Sequence, residues 1–316
     1  MFVGIDHGTT AIRFGTDDGH GFELSRESAR EMADDILLKA ILCGLDVNAS
    51  DIDLMAIGYS MGDGISKITD IRCVANRGVR GVGGAGRNVG GGTHVFDVIR
   101  ASNIPAIVIP GIHSGSDIDP RMKMFSHGAS PEKVGIAYHA LLRGYYTFIV
   151  SDVSSNTVTV GVVNGKIIGA IDAGIFAPGI LHGPLDLEAI RDIDAGKMSA
   201  NEAFSRGGVL KHTPFRDQKE LINAKSDDAR LALDRLALFA AMEIAGMRVM
   251  VEEREVLEAI FLSGPGEIRI KIENILNMKT IHLNKWGAAI GCAEIARDVH
   301  AGKKNILGIE VDKRFK

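Results

Sequence analysis

Asp6 ends an apolar run, "FVGID", and is followed almost at once by Gly8, Thr9 and Thr10. A carboxylate so placed can hold Mg²⁺ directly or through water, because that ion prefers oxygen ligands and keeps much of its hydration shell. A turn of small residues beside it offers several backbone N–H groups in one concavity, an arrangement that binds phosphate oxygens. The same grouping recurs at Asp152, followed by Ser154, Ser155 and Asn156, whose side chains can donate where glycines would approach more closely. Two such turns facing a common space would grip a nucleotide polyphosphate from both sides. The plainer alternative is that Asp6 and Asp152 only cap turns in a duplicated scaffold.

The duplication itself is visible. "FIVSDVSSNTVTVGVVNG" (148–165) lies over "FVGIDHGTTAIRFGTDDG" (2–19) at a constant offset of 146, matching Phe2 with Phe148, Asp6 with Asp152 and Gly15 with Gly161. Asp18-Gly19 and Asn164-Gly165 close the two copies, and such pairs between β-branched runs signal hairpins whose type I′ turns need positive φ at both central residues. The elements that must position the two carboxylates are therefore two copies of one β-meander.

The remaining sequence fits two α/β halves, 1–145 and 146–316, with the last helix free to pack back on the first. Ser25 or Ser28 can cap a helix whose stripe runs through Met32, Ala33, Ile36, Leu37, Ala40 and Ile41 and stops at Gly44. "DLMAIGYS" and "IPAIVIP" read as buried strands. In the second half, Ser199 and Glu202 have capping-box spacing, and Ser226 opens a long helix through about Val251. "EAIFLSG" and "KTIHLN" read as strands, and a final helix spans about Trp286 to His300. Gly264 and Gly266 in "FLSGPGE" lie where an adenine and ribose could rest against backbone, although Gly-Pro-Gly is also a common turn.

Several motifs promise more than their context supports. "GVGGAG" (81–86) satisfies a dinucleotide-binding pattern, but the glycines that follow disfavour the helix it requires. "GYSMG" would make Ser60 a nucleophile, yet Gly62 and Gly64 start a helix poorly. The glycine-rich stretch from Arg77 to His94, with Arg80 and Arg87, could close over an anionic substrate or be a mobile surface loop. In "HSGSDIDPRMKMFSH", His113, Asp117, Asp119 and His127 lack clear metal-ligand spacing, and a solvated loop around Asp119-Pro120 is expected. Asp117 or Asp119 could still serve as a general base. His139 reads as a satisfied helix residue.

Composition narrows the partners. With 316 residues, 46% apolar and 24% charged, the chain is ordinary for a globular protein of two domains. No apolar run reaches the roughly 18 residues of a membrane span, and no secretory signal is evident, so a soluble cytoplasmic protein is expected. A net charge of −4 without a basic stripe argues against nucleic acid. Cys43, Cys73 and Cys292, an odd number without CxxC spacing, suggest neither a disulfide framework nor a zinc or iron–sulfur site and are expected to be buried thiols.

The paired meanders resemble those of the superfamily of acetate and sugar kinases, heat-shock chaperone ATPases and actin. "GIDHGTTAIRF", Arg77-Gly78 with "GGTH" (91–94), "IPAIVI" with "AYHAL", and "FIVSD" leading through "GKIIGAIDAG" to "FAPG" and "HGPL" resemble butyrate kinase and its acyl-kinase relatives, over residues 1 to about 190. As a whole the chain resembles the archaeal family called methanogenesis marker protein 12. The resemblance implies two ribonuclease H-like domains, each a mixed sheet flanked by helices, with an interdomain cleft for ATP and Mg²⁺. It implies phosphate contacts at Gly8, Thr9, Thr10 and Ser154 to Asn156, Mg²⁺ organised by Asp6 and Asp152, and adenosine contacts at Gly264 and Gly266. It further implies that Arg13 or Arg77 meets substrate or phosphate. Departures are the second loop, Asp152-Val-Ser-Ser-Asn156, which is closer to the sugar-kinase and actin style, and Pro110 and Leu181, which stand where acyl kinases carry aspartate and arginine.

The leading reading is phosphotransfer to a small carboxylate, with Asp117 or Asp119 as base and Arg77 as clamp. The alternative is a nucleotide-gated switch or assembly factor whose protein partner reads the interdomain angle. A homodimer is compatible with both. A dehydratase-activator role would need a cluster held by cysteines, which three scattered residues do not supply.

Overall fold

The chain, seen in a computed structural model that describes residues 1–59, 62–74, 77 and 90–313, divides into two compact units. One comprises Met1–Tyr146, Asn164–Gly169 and Lys285–Lys316, the other Thr147–Val163 and Ala170–Asn284. Residues 1–146 supply β1 (Phe2–Asp6), β2 (Ala11–Thr16), β3 (Gly21–Ser25), α1 (Arg26–Glu31), α2 (Asp34–Leu45), β4 (Leu54–Gly58), β5 (Thr69–Asp70), α3 (Gly91–Ala101), β6 (Ala106–Ile109), β7 (Ile112–His113), β8 (His127–Ala129) and α4 (Pro131–Leu141). Next come β9 (Phe148–Val153), β10 (Thr157–Val163), β11 (Lys166–Asp172), α5 (Leu187–Asp194), α6 (Ala200–Ser205), α7 (Gln218–Asn223), α8 (Asp227–Glu252), β12 (Ala259–Ser263), α9 (Gly266–Leu276) and β13 (Ile281–Leu283). The chain closes with α10 (Gly287–His300), β14 (Asn305–Ile306) and β15 (Ile309–Glu310). Among the described residues no helix is long and apolar enough to cross a membrane.

The two principal sheets repeat one design. The first runs β3-β2-β1-β4-β6-β5 and the second β11-β10-β9-β12-β13. In each, the leading strand pairs antiparallel with its successor, β1 with β2 and β9 with β10, and parallel with the strand on its other side, β4 or β12. The carboxyl ends of β1 and β9, which carry Asp6 and Asp152, thus sit at the same topological position. This is the duplicated α/β architecture expected from the offset of 146. The apolar alternation that predicted it is buried: Val3, Ile5, Ile12 and Phe14 in one unit, Phe148, Val150, Val158 and Val160 in the other.

Local chemistry differs from expectation in three places. The helix expected from Ser25 to Gly44 is broken into α1 and α2, because Met32 and Ala33 are extended. Ser25 caps α1 by accepting from the Ser28 amide, and Asp34 and Asp35 favour a fresh helix start through the helix dipole. Gly44 does not stop α2; a Cβ there would lie 2.5 Å from the Phe22 ring, and the helix ends at Asp46 in left-handed conformation, φ 56°. Second, Asn164 (φ 51°) and Gly165 (φ 75°) form the expected tight turn, whereas in the first copy only Gly19 has positive φ. There Thr16 and Asp18 accept from the His20 amide and the loop is longer. Third, Cys43 and Cys73 are exposed, on the outer side of α2 and in a 3₁₀ turn, and only Cys292 is buried.

Within the first unit α10 lies against the sheet at backbone contact distance. A Cβ on Gly4 would fall 2.0 Å from the Ala289 carbonyl, and one on Gly291 would fall 1.9 Å from that of Gly135 in α4. No side-chain movement relieves a clash with a backbone oxygen. Gly291→Ala is therefore expected to destabilise by at least the roughly 1–3 kcal/mol typical of overpacking. Urea titration followed by fluorescence of the single tryptophan, Trp286, the residue before α10, measures this as a lowered midpoint.

Candidate functional site

Asp6 is only 4% exposed, and Arg13, its partner across β1 and β2, donates from Nη1 to Oδ2 at 3.3 Å. Gly8 lacks a side chain for a local reason: a Cβ would meet the Ala11 carbonyl at 2.7 Å and Arg13 Nη1 at 2.9 Å. The Ala11 carbonyl and the arginine thus take the space that a side chain at residue 8 would need. Thr9 and Thr10 are exposed, with no side-chain hydrogen bond among the described residues. Arg26, at the start of α1, braces the loop by donating from Nη1 to the carbonyls of Gly8 at 2.9 Å and His7 at 3.3 Å.

His7 lies under this loop. Burial, reinforced by the Arg26 charge and opposed by Glu132, lowers its pKa to about 4, so the imidazole is neutral at physiological pH. Its Nε2 is buried without a hydrogen-bond partner. The glycine-built first turn of α3 abuts the same group, since a Cβ on Gly92 would lie 3.4 Å from both the His7 ring and Arg26 Nη2. Arg77 is held on that helix by a 3.1 Å ion pair with Asp97, while its Nη1 is buried and without a hydrogen-bond partner. At the start of α4, buried Lys133 stands 3.6 Å from Glu132.

Asp119 is committed elsewhere. It caps the 3₁₀ turn Pro120–Met124, and its two oxygens accept from Arg121 Nε at 3.0 Å and Nη2 at 2.8 Å. Asp117 is exposed and paired with Lys166 at 2.7 Å, which holds its carboxyl below the ordinary range. His113 contacts the Ile65 carbonyl at 2.9 Å, His127 contacts Asp63 at 2.8 Å, and His139 contacts Glu294 at 3.0 Å. Ser60, the stretch 81–86, Arg80 and Arg87 lie outside the described residues.

In the second unit Asp152 is 9% exposed and accepts from Ser154 Oγ at 3.2 Å. The turn is fixed from behind by residues 179–182. The Ile180 amide donates to Ser154 O at 2.9 Å, and the Leu181 and His182 amides donate to Ser155 O at 3.1 and 3.0 Å. Gly179 permits this, because a Cβ would lie 2.4 Å from that same oxygen. Asn156 donates from Nδ2 to Asp172 at 3.3 Å. His182 stacks on Phe204 with ring centroids 5.0 Å apart, and burial lowers its pKa against the pull of Asp172. Glu243 of α8 accepts from the Ala177 amide at 3.1 Å, and burial raises its pKa to about 8. Beyond β12, Gly264 adopts φ 136° over the Val153 carbonyl, and Gly266 opens α9 with free space where a Cβ would stand.

Among the described residues, six buried side-chain atoms lack hydrogen-bond partners: His7 Nε2, Arg13 Nε, Arg77 Nη1, Asn156 Oδ1, His182 Nδ1 and Glu243 Oε1. An orphaned buried polar atom costs about 1–3 kcal/mol, so native chains keep few of them without reason. Of these, His7 and Asn156 lie in the two loops, Arg13 pairs with Asp6 across β1 and β2, His182 belongs to the segment bonded to the second loop, Arg77 is paired with Asp97 of α3, and Glu243 lies on α8. Sequence reasoning reached Arg13, Arg77 and Asn156 but missed His7, Arg26, Lys133, His182 and Glu243. A signal existed for Glu243, a lone carboxylate inside the apolar "ALFAAMEIAGM". Arg26 acts through its own tertiary contact, which no spacing announces.

Solved structures place this architecture. The acetate kinase of Porphyromonas gingivalis matches with a TM-score of 0.59 at 10% identity, over 92% of this chain and 90% of that one. The propionate kinase of Francisella tularensis matches with 0.58 at 14%, over 94% and 98%. The chain thus has the acetate-kinase type of fold. No family model matches the sequence. It is 54% identical to a UPF0285 protein of Methanosarcina acetivorans over 98% of this chain and 99% of that one, and 46% identical to those of Methanococcus maripaludis and Methanocaldococcus jannaschii. The latter alignments cover 99% of both chains and 98% of both chains, respectively. The chain belongs to the UPF0285 family, whose matched members come from methanogens.

The protonation of Glu243 has a measurable consequence. Its folded pKa of about 8 exceeds the ordinary 4.5, so between those values the folded chain holds a proton that the unfolded chain has lost. Stability from this group is complete below about pH 4.5 and declines as pH rises to about 8. Glu243→Gln, a neutral isostere, is expected to remove that decline. Urea unfolding at both ends of the window should show the variant gaining on wild type by a few kcal/mol toward alkaline pH.

Proposed function

We propose that this protein binds ATP with Mg²⁺ through the loops after Asp6 and Asp152 and transfers a phosphoryl group to a small carboxylate in the cytoplasm of methanogens. The observation that carries this reading is that each duplicated loop holds an orphaned buried polar atom, His7 Nε2 in one and Asn156 Oδ1 in the other, with the unsatisfied nitrogens of Arg13 and His182 beside them, since a polyanionic ligand would supply acceptors for the donors in this group. The family likeness noted from sequence, to methanogenesis marker protein 12, forms part of the same proposal.

In this reading Asp6 and Asp152 hold Mg²⁺ through water. Among the described residues no group of three or more metal-ligating side chains exists, which suits an ion bound by one or two carboxylates and the phosphates. When bound, the ion would supply charge neutralisation between phosphate oxygens. Gly8, Thr9 and Thr10 meet one set of phosphate oxygens, and Ser154, Ser155 and Asn156 the other. Arg13 holds the Asp6 carboxylate, Arg26 positions the loop, and Arg77 turns its spare Nη1 to the transferred group. Adenosine rests at Gly264 and Gly266, where a Cβ on Gly266 would meet nothing within 4 Å. Asp119, with both oxygens on Arg121, positions its 3₁₀ turn instead of carrying a proton.

A second reading is favoured by Leu181. Acyl kinases carry a cation where this chain has an apolar side chain, and losing one positioned arginine can cost 10³–10⁵ in rate. A nucleotide-gated assembly factor would tolerate that loss.

Calorimetric titration of ATP with Mg²⁺ should give saturable binding for wild type and at least about tenfold weaker binding, about 1.4 kcal/mol, for Asp6→Asn and for Asp152→Asn. An absence of binding heat in wild type overturns both readings. A panel of short-chain carboxylates then separates them: ADP formed with one acceptor supports the kinase, and none with any supports the switch.

A further inference from the structure

Helix α8 of the second unit buries one side, including Leu233, Leu236, Ala240, Ile244, Met247 and Val251, and presents another apolar side to water. Leu231, Leu238, Met242 and Val249 are 48%, 46%, 48% and 69% exposed. From Leu231 through Arg235, Leu238, Met242, Ala245 and Val249 to Glu252 the steps alternate four and three residues. That is the 3.5-residue repeat of a coiled-coil seam, drawn on a face whose apolar members Leu231, Leu238, Met242 and Val249 the described residues leave exposed.

Two features say what covers it. Gly246 borders the seam in the helix interior, where glycine is disfavoured by about 0.8–1 kcal/mol relative to alanine. Its missing Cβ would meet nothing within 4 Å, so no contact among the described residues requires the glycine. Close approach of another backbone would. The seam is also its own complement. With a second copy laid antiparallel about a two-fold axis between Glu243 and Ile244, residues equidistant from that point meet: Met242 with Ala245, Leu238 with Val249, and Arg235 with Glu252. The large side chain of each central pair faces a smaller one. Arg235 has no ion-pair partner among the described residues. Glu252, bonded to Arg248 at 2.6 Å, is 41% exposed and can accept a second cation.

We propose that α8 pairs antiparallel with α8 of a second copy, making the protein a two-fold homodimer through its second unit. Such an interface is isologous, so each pair named above occurs twice. The inference rests on one helix face and is independent of what the loops bind.

Sedimentation equilibrium of the full chain should give twice the monomer mass of 33.8 kDa. Leu238→Glu should raise the dissociation constant by at least about a hundredfold, because it places a charge in the seam of both copies. Arg235→Glu should also weaken the dimer, and Arg235→Glu combined with Glu252→Arg should restore it. Circular dichroism confirms that each variant is folded. With Cys43 and Cys73 changed to serine, Met242→Cys plus Ala245→Cys should yield a covalent dimer on mild oxidation. A monomeric wild type, or a dimer indifferent to Leu238→Glu, overturns the proposal.

Discussion

A carboxylate held almost out of water at the end of a central strand is the constraint around which each unit is arranged. Removing an ionised group from water is costly unless opposite charge or hydrogen-bond donors stand against it. At Asp6 the answer is Arg13, delivered by the antiparallel neighbour, while the Ala11 carbonyl, with Arg13 behind it, leaves no room for a side chain at residue 8. At Asp152 the answer is softer: Ser154 donates from within the turn, and the turn is anchored by three amides of residues 180–182. One topology therefore supports two electrostatic solutions, a cation at the first strand end and neutral donors at the second.

Each unit also buries groups that lose their charge as a result. His7 in one unit and His182 in the other are both pushed toward the uncharged imidazole, and Glu243 toward the protonated acid. Neutral groups can be buried at smaller cost than ions, yet each here leaves an atom without a partner. Such atoms are stabilising only in the company of something that bonds them, which is why the proposed ligand chemistry is polar and anionic.

The sequence carried the parts of this design that are local or periodic. The offset between Phe2 and Phe148, the buried runs of β4 and β6, the capping box at Ser199 and the Ser226 cap of α8 follow from residue type and spacing. Asp6, Asp152 and Asn156 were accessible because the repeat pairs them. What eluded it depends on tertiary contact. Gly44 looked like a terminator but is an approach to Phe22, and Asp119 looked like a free base but is claimed by Arg121. Cys43 and Cys73 were expected inside on residue type alone, a preference that the exposed sides of a helix and a turn override. The stripe through Met32 and Ile36 had acceptable helical period, and only the fresh start at Asp34 divides it.

The glycine-lined seat of α10 on β1 has a bearing on biosynthesis. Residues 287–300 cover a six-stranded sheet whose strands are all made within the first 110 residues, so on the ribosome the sheet that bears Asp6 is made long before the helix that covers it. Until then Gly4 and Gly15 leave a bare strip of backbone along β1 and β2. The other unit, continuous but for six residues between 147 and 284, has all its strands before α10 is translated. The nascent chain must therefore keep its opening strands from aggregating until α10 has been made.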